Sequence, residues 1–113
     1  MRAALSIVFA LGLATPAFAH SKAETTEPAD GATVAAVEEM VIRFDGPMRV
    51  TRVDVTRDGE AVDLGDGVDP APATEVRIVP ASAMTRGRYD VEWRGLSEDG
   101  HVMSGSFGFD VAE

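Results

Sequence analysis

Cysteine is missing from this chain, and histidine occurs only twice. Without cysteine there is no disulfide and no thiolate, so the fold has to rest on its core, and any metal has to be held by nitrogen, oxygen or thioether donors. Positive charge is scarce as well, with 10 Lys and Arg against 19 Asp and Glu and a net charge of −9. That balance lacks the clustered cations that bind phosphate, so neither nucleic acid nor an anionic membrane surface is an expected partner. Only one long apolar run is present, Ala3 to Ala14, and it is shorter than the roughly 20 residues a membrane span requires.

That run belongs to an N-terminal export signal. Arg2 supplies a positive start, Thr15-Pro16 breaks the apolar stretch, and Ala17-Phe18-Ala19 has the small-x-small form of a cleavage site. The expected organisation is a signal peptide over residues 1–19 and one small soluble domain over residues 20–113. The expected location is outside the cytoplasm, with no membrane insertion after cleavage.

Within the domain the hydrophobic period is two. Met40, Ile42 and Phe44 alternate with Val41 and Arg43, and Asp45-Gly46-Pro47 is expected to end that strand. Val53 and Val55, then Asp58-Gly59, then Val62 and Leu64 predict a hairpin with a type I′ turn. Val76 and Ile78 mark a short strand stopped by Pro80. Tyr89, Val91 and Trp93 share one face of another, and Met103, Gly105, Phe107, Phe109 and Val111 share one face of the last. Short strands punctuated by turn residues predict an all-β antiparallel sandwich or barrel. Weak helical turns are conceivable at 33–39 and 81–85.

Four groups carry potential chemistry. Cleavage after Ala19 would put His20 first, joining a free α-amine and an imidazole on one residue. An α-amine releases its proton at about pH 8, so a metal can displace it near neutrality. His101, in the string Asp99-Gly100-His101, offers a second imidazole beside a carboxylate, with Gly100 permitting a tight bend. Three nitrogens and one oxygen suit Cu(II), and zinc accepts the same atoms in a tetrahedron. Two exposed histidines in a small domain are also commonly unrelated. The methionines could offer thioethers to Cu(I) but read better as core fillers, Met48 and Met103 less clearly than Met40 and Met84. The acidic stretch Asp63 to Asp69 lacks the spacing and closing Glu of a calcium loop and reads as a solvated turn. No nucleophile-elbow sequence supports serine hydrolysis.

An ordered series of segments resembles the CopC family of periplasmic copper-binding proteins. The series runs from the signal and His20 through Pro28-Ala29-Asp30-Gly31-Ala32 and Ile42-Arg43-Phe44. It continues with Gly87 to Arg94, Ser97-Glu98-Asp99-Gly100-His101, and Gly105 to Val111. The resemblance implies a Greek-key β-barrel or sandwich, cupredoxin-like or Ig-like, of about seven strands. It implies one Cu(2+) per chain held by His20, Asp99 and His101, in a monomeric, non-enzymatic protein of copper resistance or homeostasis that passes copper to a CopD-like inner-membrane transporter. Many relatives place a Glu near the copper where this chain has Gly46, and some carry a Met-rich Cu(I) loop that this chain lacks. Two other readings stand beside it. One is a copper redox enzyme built on an N-terminal histidine, and the other is a β-sandwich interaction module without metal.

Overall fold

The computed structural model describes residues 23–113. The signal segment over residues 1–19 and His20 lie outside the described residues. Among the described residues there is no helix, and seven strands form the whole regular structure. They are β1 (Ala23–Glu27), β2 (Thr33–Val34), β3 (Met40–Arg57), β4 (Glu60–Ala61), β5 (Ala73–Ile78), β6 (Gly87–Ser97) and β7 (Val102–Val111).

β3 organises the fold because it pairs with different partners along its length. Its first part pairs antiparallel with β1 on one edge, Glu27 opposite Val41, and with β5 on the other, Ile78 opposite Met40. Its second part pairs with β6, from Met48 opposite Ser97 to Arg57 opposite Tyr89. The sheet continues β3-β6-β7-β2, so it curls around one core. The expected strand end at Asp45-Gly46-Pro47 is therefore a corner, with the register to β5 shifting between Arg43 and Met48. Gly and Pro bend the chain there, and Pro47 has no N–H for a ladder. The strand resumes because Phe44 and Met48 are both buried in the same core.

The period-two patterns hold. Tyr89, Val91 and Trp93 are buried between exposed Arg88, Asp90, Glu92 and Arg94. Phe107, Phe109 and Val111 are buried across from them, and Met103 is half-buried against the same core. Aromatic rings link neighbouring strands. Phe44 meets Trp93 edge-on with centroids 5.1 Å apart, and Tyr89 stacks on Phe109 at 5.4 Å, arrangements the ring quadrupole favours. Met40 and Met48 are completely buried, so Met48 is a core side chain.

The turn at Asp58-Gly59 forms as expected, with φ of 49° and 88°, both in the region a type I′ hairpin demands. Its second strand is shorter than the hydrophobic pattern suggests. The ladder ends at Ala61 apart from one bond from Val62 N to Val55 O at 2.8 Å, and Val62 and Leu64 pack on the core from irregular backbone. Neither weak helical turn forms. Thr33 and Val34 instead pair parallel with Asp110 and Val111. The 81–85 segment is held open from both ends, by Ala81 N to Asp63 O at 2.9 Å and by the Tyr89 hydroxyl donating to Thr85 O at 2.6 Å. The acidic loop caps its own turns, Asp63 accepting from Gly65 N and Asp69 from Ala71 N, each at 2.9 Å.

Candidate metal centre

β6 and β7 are joined by the turn that carries Asp99 and His101. Their ladder closes with Leu96 opposite Val102. Beyond it, Ser97 N donates to His101 O at 3.0 Å and Gly100 N to Ser97 O at 2.9 Å. Gly100 adopts φ of 83°, a left-handed conformation that costs residues with a β-carbon about 1–2 kcal/mol. The chain can therefore reverse within three residues and aim the side chains on either side of Gly100 at one another.

They do meet. His101 Nδ1 lies 2.9 Å from Asp99 Oδ2. The Ser97 hydroxyl makes a short hydrogen bond to Asp99 Oδ1. The His101 N–H points at the same pair of acceptors, Ser97 Oγ at 3.3 Å and Asp99 Oδ1 at 3.4 Å. These donors hold the Asp99 carboxyl down at about 2, the Ser97 hydroxyl contributing most, against a smaller opposing effect of partial desolvation. The carboxylate is thus ionised, as a metal ligand must be. The His101 side chain is 68% exposed and that of Asp99 32%, so the pair opens to solvent at the end of the β6–β7 hairpin.

Two of the three sequence-derived ligand candidates are therefore in contact, and the third, His20, lies outside the described residues. Among the described residues, no three His, Asp or Glu side chains gather into a metal cluster. The described chain starts at Ala23, opposite Phe44. Phe44 borders the corner at 45–47, and the corner leads into Met48, the partner of Ser97. The start of β1, the corner with Gly46 and the Asp99 turn thus share one end of the molecule.

Ser97 is the residue the sequence reading passed over. It stands within the recognised string but draws no attention as a serine at a strand end. The available signal is its spacing. Side chains at positions i, i+2 and i+4 around a glycine bend can converge, and Ser and Asp readily bond to nearby backbone.

A family model described as the CopC domain matches residues 23–112. Copper resistance protein C of Pseudomonas syringae pv. tomato is 33% identical over 122 residues, spanning 97% of this chain and 96% of that protein. Among solved structures, PcoC, a methionine-rich copper resistance protein from Escherichia coli, is similar with a TM-score of 0.67 and 26% identity over 82% of this chain and 99% of its own. CopC from Methylosinus trichosporium OB3b is similar with a TM-score of 0.62 and 25% identity over 82% of this chain and 94% of its own.

Proposed function

The chain belongs to the CopC family, and from that membership and the Asp99 turn we propose that it binds one Cu(II) ion in the periplasm through His20, Asp99 and His101. In this reading the exported protein begins at His20, whose α-amine and imidazole both bind. His101 adds an imidazole and Asp99 an oxygen. The role is copper resistance or homeostasis by sequestration in a monomer, with hand-over to a CopD-like inner-membrane transporter.

The observation that carries the reading is the contact of Asp99 Oδ2 with His101 Nδ1 at 2.9 Å on an exposed turn. It joins two ligand types that divalent metals share, one of them ionised far below neutral pH. The position of Ala23 supports the rest. Three residues span at most about 10 Å, which bounds the distance of His20 from the strand that borders the corner. A donor set of three nitrogens and one oxygen favours Cu(II), at the top of the divalent affinity order. With Asp99 occupying one position, the site suits holding the ion more than oxygen chemistry, which supports a binding protein over an enzyme.

Titration with Cu(II) followed by EPR tests this. The protein is expected to take up one equivalent with a tetragonal, nitrogen-rich signal, and His101→Ala to lose one nitrogen coupling and bind at least about tenfold more weakly. An unchanged spectrum and affinity in His101→Ala would rule the site out.

A further inference from the structure

Among the described residues, Ser97 at the end of β6 is the one buried residue that is neither apolar nor aromatic, 6% exposed. Its backbone is fixed on both sides, by the pairing with Met48 and by the bond from its N–H to His101 O. A hydroxyl offers one proton and two lone pairs. Here the proton goes to Asp99 Oδ1, with His101 O at 3.4 Å a longer alternative, and a lone pair accepts from His101 N–H. Ser97 therefore touches both ligand residues of the turn while facing the protein interior. One carboxylate oxygen is engaged toward the core, and the other lies on the imidazole side.

We propose that Ser97 is a positioning residue of the metal site. It commits Asp99 Oδ1 to its own hydroxyl, so that Asp99 meets the ion through Oδ2 alone. The proposal deepens the copper reading above and rests on it. Its chemical consequence is a carboxylate that binds through one oxygen with a fixed orientation. A carboxylate freed from the hydroxyl could rotate or chelate through both oxygens, and the spectrum of bound Cu(II) would register that change. The same hydroxyl could serve the hairpin alone, in which case its effect on copper would not depend on Asp99.

A double-mutant cycle separates the two roles. Cu(II) dissociation constants and EPR spectra are compared for the wild type, Ser97→Ala, Asp99→Ala and the double variant, with melting of each metal-free protein. Positioning predicts that Ser97→Ala weakens Cu(II) binding about 10–100-fold and shifts the EPR parameters, and that the same change made on top of Asp99→Ala has less than about a twofold effect. Should Ser97→Ala fail to fold, Ser97→Thr against Ser97→Val isolates the hydroxyl at constant shape, with Thr expected to keep the wild-type spectrum and Val to lose it. The proposal is overturned if Asp99→Ala weakens binding while loss of the hydroxyl leaves it within twofold, or if the loss weakens binding equally with and without Asp99. If Asp99→Ala itself binds Cu(II) with wild-type affinity and spectrum, the copper reading fails, and the role of Ser97 with it.

Discussion

Gly105 stands directly across the strand pair from Trp93, and the indole lies over it. A β-carbon built at Gly105 would sit 2.6 Å from Nε1 and 2.8 Å from Cε2 and Cζ2 of that ring. Phe44 closes on the same indole edge-on, so the ring cannot shift without moving the strand that leads into the corner. Gly105→Ala is expected to destabilise the protein by about 1–3 kcal/mol, the usual cost of overpacking a core. Denaturant unfolding measures the loss, and emission from the single tryptophan should change with it. A wild-type midpoint would show that the indole has room to move.

At the far end of the barrel, Gly59→Ala should cost about 1 kcal/mol. Nothing lies within 4 Å of a β-carbon at that position, so the cost comes from φ of 88° alone. Copper affinity is expected to stay unchanged, because the Asp58-Gly59 turn follows Arg57 at the opposite end of the β3–β6 ladder from the Met48–Ser97 pair. Competition titration checks the second half of that statement.

Gly100 presents the same backbone problem inside the site, with φ of 83° and open space around it. Gly100→Ala should lower stability by about 1 kcal/mol and also weaken Cu(II) binding, since the bend brings Asp99 to His101. Gly100→Asn should lose less on both counts, because Asn tolerates the left-handed region better than Ala does. Equal loss for Ala and Asn would mean that something other than backbone conformation matters there.

The depressed Asp99 carboxyl makes a prediction for the metal-free protein. Its folded value of about 2 lies below the roughly 3.9 of an unfolded aspartate. The unfolded chain therefore binds the proton first as pH falls, and the native state loses stability. The contribution of Asp99 is full above about pH 4 and fades as pH drops toward 2. Asp99→Asn should flatten that part of the stability curve while lowering stability at neutral pH, as measured by denaturant midpoints from pH 2 to 6. A curve parallel to the wild type would show that Asp99 makes no such contribution.

Much of the barrel can be read directly from alternation, because side chains in β6 and β7 face either the core or water, and Tyr89, Val91, Trp93, Phe107 and Phe109 declare which. The corner at Asp45-Gly46-Pro47 was less legible. Gly and Pro mark a break equally well whether a strand ends or bends, and only the burial of Met48 beyond the break distinguishes the two. The 81–85 segment misled for a related reason, since partners distant in sequence, Asp63 and Tyr89, decide its conformation. In the site, Asp99 and His101 were visible from two donors flanking a glycine. The role of Ser97 was hidden because it depends on the hydroxyl turning inward, which the pairing of Met48 with Ser97 imposes across forty-nine positions of sequence. His20 was reached from the cleavage pattern and the family resemblance together.

Proteolysis ahead of His20 would create one of the four proposed copper donors, the α-amine. Cu(II) affinity and EPR should be measured for the chain beginning at His20 and for the same chain with one alanine ahead of it, which turns the amine into an amide. The account predicts that the extended form binds at least about tenfold more weakly and shows one fewer nitrogen coupling. Equal affinity and identical spectra in the two forms would contradict it.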